Sequence, residues 1–268
     1  MLRTRALTAL AGIPVLLFFA YLGKYWYAFL ILSISLLALK EFIALTRKKN
    51  TGLMGAIAYL FVPAALYAVY LRDLSLIIFF WMLLFAILNL VPVFMQGGVK
   101  YWESAVTFWG ILYTVGLPGF LLAIRFLQDG FLLTLLLFFA IWAADICAYL
   151  FGRKIGKTPL APKVSPKKTV EGFLAGLVAS TIAGAALMFF FPLACLGWPG
   201  GALLGAFCGF AGALGDLGQS ALKRSAGVKD SGSLLPGHGG ILDRFDSLLF
   251  AAPFYYFFLF YLIQIPMR

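Results

Sequence analysis

Nine long apolar segments, almost free of charged residues, dominate this chain of 268 residues. Each has about 18 to 22 residues, the length that an α-helix needs to cross the hydrocarbon core of a bilayer. The apolar residues are continuous and do not alternate, which favours helices over a barrel. The sequence therefore predicts an all-α, polytopic membrane bundle of about nine transmembrane helices, which run roughly over 6–23, 25–46, 52–71, 74–95, 104–124, 131–152, 173–191, 201–219 and 248–265.

Composition agrees with a membrane protein. Hydrophobic residues make up 63% of the chain, charged residues only 12%, and the mean hydropathy is +0.99, which excludes a soluble domain of this size. We interpret the first segment as a membrane helix and not as a removed signal peptide, because a clean small-residue cleavage site does not follow it. The three cysteines match neither a zinc site nor a disulfide framework and are expected to be small core residues: Cys147, Cys195 and Cys208.

Basic residues are distributed unevenly between the two predicted membrane faces. Most of the 21 Lys and Arg residues lie at the N-terminus or in the even-numbered loops. The positive-inside rule then places the N-terminus and the segments 153–172 and 220–246 in the cytoplasm, and the C-terminus outside a bacterial-type inner or plasma membrane. We assign the net charge of +11 to this topology and not to nucleic-acid binding. Lys40 and Glu41, near the end of the second segment, are expected to extend towards the interface.

Acidic residues are concentrated in the second half of the chain. Six of the ten follow residue 140. Residues 1–130 are therefore interpreted as a lipid-facing scaffold, and residues 131–268 as membrane helices with cytoplasmic catalytic loops.

The segment 220–246 gathers most of the polar chemistry. It contains the only histidine and a mixture of both charges within an otherwise apolar chain: Lys223, Arg224, Lys229, Asp230, His238, Asp243, Arg244 and Asp246. Carboxylates suit a divalent metal ion, whereas cations and a glycine-rich backbone suit phosphates. This mixture predicts a site for a highly charged substrate.

Four aspartates are candidate metal ligands. A helix through 242–247 would place Asp243 and Asp246 on one face, where a magnesium ion would relieve their repulsion. Asp216 lies inside an apolar segment, and a continuous helix places Ser220 and Lys223 on its face. Asp145, also inside an apolar segment, is a further candidate. The alternative for the two intramembrane carboxylates is an interhelical hydrogen bond.

Two further groups of residues suit phosphate binding. Gly239 and Gly240 follow His238 and can expose backbone N–H groups, although His238 is equally explained as a hydrogen-bonding turn residue. In the second polar segment, 153–172, Lys167 and Lys168 are placed to meet phosphates. Thr169 is placed to cap the following helix, and the other lysines there are explained by topology and anionic headgroups. The side chains of Lys168 and Lys223 are both expected to contribute little to the buried core.

The polar segments resemble the signature of the phosphatidate cytidylyltransferases, also called CDP-diacylglycerol synthases. That signature runs Ser-x-apolar-Lys-Arg, four residues, Lys-Asp, then Pro-x-His-Gly-Gly-apolar-x-Asp-Arg-apolar-Asp. It is matched here without departure by Ser220, Leu222, Lys223, Arg224, Lys229, Asp230, Pro236, His238, Gly239, Gly240, Ile241, Asp243, Arg244, Phe245 and Asp246. The segment 165–172, which begins at Ser165, also resembles that family. The first 130 residues carry no matching motif.

The resemblance implies transfer of CMP from CTP to phosphatidic acid, with Mg²⁺ as cofactor and membrane lipids as surroundings. Asp216, Asp243 and Asp246, with Asp145 in addition, are then the candidate metal ligands. The candidate catalytic residues are Lys223, Arg224, Asp243 and Asp246. The candidate substrate-binding residues are Ser165, Lys167, Lys168, Lys223, Arg224, Lys229, His238, Gly239 and Gly240.

Two other functions and one question of assembly stay open at this point. A CTP-dependent lipid kinase would use similar residues, and an ion-coupled transporter also uses intramembrane carboxylates. The sequence does not determine the oligomeric state, and a homodimer is one option.

Overall fold

The computed structural model is helical almost throughout. It describes residues 2–46, 52–96, 98–193, 196–232, 234, 239–262 and 264, with the backbone alone for residues 2–11 and 262. Cys195 and His238 lie outside the described residues. The helices are α1 Leu2–Leu22, α2 Lys24–Thr46, α3 Gly52–Leu71, α4 Leu74–Phe94, α5 Tyr101–Ile111, α6 Leu117–Arg125, α7 Gly130–Ile155, α8 Val170–Phe190, α9 Trp198–Ser225 and α10 Leu242–Phe257.

Each of the nine predicted segments falls on helical structure. A π-helical turn, Leu112–Gly116, joins α5 to α6, so that Tyr101–Arg125 forms one span, and a second π-helical turn, Phe258–Leu262, continues α10. Seven spans in the described part of the chain are long and apolar enough to cross a membrane. The described apolar part of α1, Gly12–Leu22, is shorter, and α10 has 16 residues. The membrane bundle is confirmed, whereas the count of about nine transmembrane helices is not.

A small hairpin in the second polar segment holds the only pair of β-strands among the described residues. Strand β1, Pro159–Ala161, pairs antiparallel with strand β2, Ser165–Thr169. The hairpin lies between α7 and α8, and Thr169 ends it as the cap of α8, because its Oγ1 accepts a hydrogen bond from the N–H of Gly172 at 3.2 Å. The predicted cap is therefore present.

Two compact units divide the chain. The first comprises Met1–Ala123 and Asp230–Leu242, and the second comprises Ile124–Lys229 and Asp243–Arg268. The functional division at residue 130, scaffold against catalytic part, stays a prediction.

The first unit buries a large aromatic and aliphatic core. Tyr27, Leu39 and Phe42 of α2 are fully buried, and Gly110 of α5 lets the ring of Phe42 approach its backbone. Glu41, next to Phe42, is also buried. The expectation that Glu41 extends towards the interface is therefore wrong, whereas the side chain of Lys40 is exposed.

The second unit is built around α8, which packs along both α7 and α9. On one side, Gly172 and Gly176 bring the backbone of α8 against the carbonyl oxygens of Ala148 and Ala144 of α7. Ser180 and Gly184 face the glycines of α9 on the other side. Small residues let these helices approach closely, and the close packing fixes the ends of α7, α8 and α9 relative to each other.

Candidate active site

Lys168 reaches the site from the hairpin. The carboxylate of Glu171, in the first turn of α8, accepts hydrogen bonds from the backbone N–H groups of Lys157 and Thr158, both at 3.1 Å. These bonds tie the start of the hairpin to the start of α8. On the second strand, Nζ of Lys168 then lies 2.5 Å from Oδ2 of Asp216 in α9. The hairpin thus presents a lysine to an intramembrane aspartate.

A second lysine–aspartate pair lies between α9 and α10. Nζ of Lys223 is 2.5 Å from Oδ1 of Asp243. Their side chains are only 11% and 5% exposed, against 26% and 34% for Lys168 and Asp216. The predicted common face of Asp216, Ser220 and Lys223 is present, with Ser220 and Lys223 buried. One pair is therefore almost fully buried, and the other is partly exposed.

Two further carboxylates lie within electrostatic range of these pairs. Asp246 is buried, its Oδ1 accepts a hydrogen bond from the N–H of Ser247 at 2.8 Å, and it interacts with Asp216, Asp145 and Lys223. Asp145 of α7 interacts with Asp216, Lys168 and Arg244. The two lysines offset part of the repulsion among these four carboxylates.

The remaining cations line the rim of this cluster. The guanidinium of Arg224 donates from Nε to the carbonyl of Val164 in the hairpin turn, at 3.3 Å, and from Nη1 to that of Val228, at 3.0 Å. Lys167 and Lys229 are exposed, and Ser165 is half-buried in β2. The hairpin and the end of α9 therefore meet at one end of the second unit.

Comparison with known proteins decides the family. Residues 3–262 match the model of the cytidylyltransferase family. The chain belongs to this family.

Individual relatives within the cytidylyltransferase family are similar over most of the chain. A phosphatidate cytidylyltransferase of Bacillus subtilis is 36% identical, over 96% of this chain and 97% of its own length. One from Staphylococcus haemolyticus is 33% identical, over 94% and 96%. One from Synechocystis is 50% identical over 140 residues, which are 51% of this chain and 46% of that protein. Neither a lipid kinase nor a transporter is favoured by these relatives.

The signature loop of this cytidylyltransferase contains a partner that sequence reasoning missed. The carboxylate of Glu41 accepts hydrogen bonds from the backbone of Ile241 and Leu242 and from the hydroxyl of Ser231. A carboxylate within a predicted membrane span was the available signal, but its position near the end of α2 suggested the interface instead. Gly239 has a φ of +85°, in the left-handed region that favours glycine. The prediction for His238 lies outside the described residues.

The donor set suits magnesium in type but not in arrangement. Carboxylate oxygens are the ligands that Mg²⁺ prefers, and Asp145, Asp216 and Asp246 supply them. However, no group of three or more His, Cys, Asp or Glu side chains that could hold a metal ion is present in the part of the chain that the structure describes. Asp216 and Asp243 are each directed at a lysine instead. Metal binding would require these ammonium groups to withdraw.

Proposed function

We propose that this chain transfers CMP from CTP to phosphatidic acid, giving CDP-diacylglycerol and pyrophosphate. The observation that carries the proposal is the cluster at one end of the second unit, in which two lysine–aspartate pairs lie within electrostatic range of two more aspartates. The family of the chain and the names of its relatives support it. The apolar helices of an integral membrane protein suit a lipid substrate.

The chemistry needs charge neutralisation more than proton removal. An oxygen of the phosphate group of phosphatidic acid, already anionic at neutral pH, attacks the α-phosphorus of CTP. The bond from that phosphorus to the oxygen bridging the α- and β-phosphates breaks, and pyrophosphate leaves. Because the nucleophile has no proton to lose, no general base is required, and catalysis rests on positioning and on stabilising negative charge. A site rich in Lys, Arg and Asp meets that requirement.

The lysines of the two pairs bind phosphate groups in this proposal. Lys168 and Lys223 each exchange an aspartate for phosphate oxygens when substrate enters. Exposed cations at the rim attract the nucleotide and the lipid headgroup: Arg224, Lys229 and Lys167. Ser165, His238, Gly239 and Gly240 are assigned to hydrogen bonds with the substrates. All these residues belong to one chain, so the proposed site does not depend on a homodimer.

The aspartates would hold Mg²⁺ in the loaded enzyme. Asp216, Asp243 and Asp246, with Asp145 beside them, are the residues assigned to it. When bound, Mg²⁺ supplies positive charge to phosphate oxygens. Asp216 and Asp243 would then be free of Lys168 and Lys223, and each lysine would be available to a phosphate.

The cluster faces the cytoplasm in this proposal. Its support is the concentration of basic residues in the hairpin and at the end of α9, under the positive-inside rule. CTP is then available on that side. The N-terminus is assigned to the cytoplasm and the C-terminus to the outside.

Product analysis tests the function. The purified protein is incubated in lipid–detergent micelles with phosphatidic acid, MgCl₂ and CTP labelled either in the base or at the γ-phosphate. We expect label from the base in the lipid product, and label from the γ-phosphate in pyrophosphate. CDP together with a γ-labelled lipid would indicate a lipid kinase and refute the proposal. Lys163→Ala, an exposed lysine of the hairpin turn, is the matched control for charge alone.

A further inference from the structure

Glu41 binds the backbone at the start of α10. Its Oε1 accepts from the N–H of Ile241 at 2.7 Å, and its Oε2 accepts from the N–H of Leu242 and the hydroxyl of Ser231, both at 2.9 Å. Glu41 is 7% exposed. All these residues belong to the first unit. A carboxylate from α2 thus serves as the cap of a helix that lies 200 residues later in the chain.

The geometry satisfies the hydrogen-bonding needs of both the helix N-terminus and the buried carboxylate. The first N–H groups of a helix have no carbonyl acceptor within the helix, and their partial positive charge favours an anion. A buried carboxylate in turn requires hydrogen bonds to offset its lost hydration. Bonds from N–H groups to a carboxylate are charge-assisted and stronger than neutral ones. Glu41 therefore fixes the backbone of Ile241 and Leu242.

Two glycines allow this close approach. A methyl group at Gly232 would lie 2.9 Å from Oε1 and 3.0 Å from Cδ of Glu41, and its three nearest neighbours would all belong to Glu41. A methyl group at Gly240 would overlap Oε2 of Glu41 and Oγ of Ser231. The backbone at Gly232 and Gly240 therefore lies close against the carboxylate, and glycine is needed at both positions for space.

We infer that Glu41 is a positioning residue for the reaction. Leu242 is bonded directly to Asp243, and α10 also carries Asp246, so the cap fixes where the helix bearing both aspartates begins. This inference rests on the proposed function, which assigns chemistry to these two aspartates. In this inference Glu41 acts through the backbone at the start of α10.

Two substitutions and one control test the anchor. Glu41→Ala removes all three bonds, whereas Glu41→Gln keeps the shape but turns one acceptor into a donor. Glu103→Ala is the control, because Glu103 also accepts a backbone N–H, from Lys100 at 3.2 Å, but at the exposed start of α5. Hydrogen exchange of the segment 239–246 is measured without substrate, so this readout does not depend on CTP chemistry. We expect faster exchange there in both Glu41 variants and unchanged exchange in Glu103→Ala.

Kinetics then test positioning. We expect kcat to fall about 10- to 100-fold in Glu41→Ala, as for other residues that orient active-site groups, and less in Glu41→Gln. The KM for phosphatidic acid should change little. Unchanged exchange in 239–246, an unchanged kcat, or a loss of activity that only follows uniformly faster exchange of the whole chain would each overturn the inference. An inactive wild-type protein would instead refute the proposed function.

A double-mutant cycle provides a second test if Glu41→Ala folds poorly. Gly232→Ala should lower kcat by itself, because its methyl group displaces the Glu41 carboxylate. In the Glu41→Gln background, the same change should cost less, since one of the hydrogen bonds that it disrupts is already lost. Strictly additive losses would overturn the inference.

Discussion

Lys168 and Lys223 each contact a different aspartate, and the burial of each pair decides what a substitution there means. Lys223 is 9% exposed and lies against an almost fully buried Asp243. Removing one partner of such a pair leaves an uncompensated buried charge, which is strongly destabilising. The expectation that both lysine side chains contribute little to the buried core is therefore wrong for Lys223. Lys168, in the more exposed pair, gives the cleaner test of phosphate binding.

Lys168→Ala should lower kcat and kcat/KM together, because the proposed function gives Lys168 a contact to phosphate that strengthens in the transition state. A hydrogen bond to a charged group contributes about 1.5–3 kcal/mol, which corresponds to a loss of roughly tenfold to a hundredfold. Steady-state kinetics at varied CTP measure it. Lys163→Ala, on the same hairpin, should behave as wild type. Full activity of Lys168→Ala at subsaturating CTP would mean that this lysine contributes only to membrane topology and not to phosphate binding.

Asp246→Asn tests the proposed metal ligands. Asn keeps the shape and the acceptor for the Ser247 N–H but removes the charge. We expect a folded protein with severely reduced turnover. We also expect Mg²⁺ to raise the melting temperature of the wild type more than that of the variant, since a ligand stabilises the state that binds it. Near-normal turnover with an unchanged Mg²⁺ effect would remove Asp246 from the metal site.

At the scale of elements, the contact between α8 and α9 holds the site together. Gly205 of α9 faces the backbone of Ser180 in α8, and Gly209 faces the hydroxyl group of the same serine. Asp216 lies on the same helix, and Lys168 precedes α8 directly in the hairpin. The distance between Lys168 and Asp216 therefore depends on how closely these two helices approach.

Gly205→Ala should destabilise the protein, because its methyl group would overlap the carbonyl oxygen of Ser180. Overpacking of this kind costs about 1–3 kcal/mol. Gly218→Ala is the matched control on the same helix, since no atom lies within 4 Å of a methyl group there. Alanine is the better helix former, so this control should be neutral or slightly stabilising. Equal melting temperatures for the two variants would contradict the close packing.

At the scale of the whole molecule, the hairpin and the end of α9 lie at the same end of the second unit. The bond from Arg224 to Val164 joins the end of α9 to the hairpin turn. Whichever side of the membrane the hairpin faces, the end of α9 must share it. The positive-inside rule assigns that side to the cytoplasm.

Cysteine labelling tests this orientation. In a background without Cys147, Cys195 and Cys208, single cysteines replace Lys163 in the hairpin turn and Val228 after α9, both of which are exposed. A membrane-impermeant thiol reagent should label both from the cytoplasmic side of oriented vesicles and neither from the outside. Labelling of the two positions from opposite sides would contradict the fold, and labelling of both from the outside would reverse the assigned orientation.

Periodicity and composition predicted most of the helices because the bilayer imposes its own length on any span. The Thr169 cap and the helix through Asp243 and Asp246 followed from local rules of the same kind. The hairpin was missed, since its strands have only three and five residues and pair chiefly through backbone bonds. Pro162 and Pro166 favour an extended segment there but do not indicate its partner.

The sequence by itself determined the membrane bundle, the family signature and the types of residue in the site, because these depend on local composition and spacing. Only the tertiary structure decided which lysine meets which aspartate, and that Glu41 turns inward to hold the start of α10. Those pairings join residues up to 201 positions apart. They depend on how closely the helices pack, and a carboxylate inside an apolar segment is compatible with several partners until that packing is known.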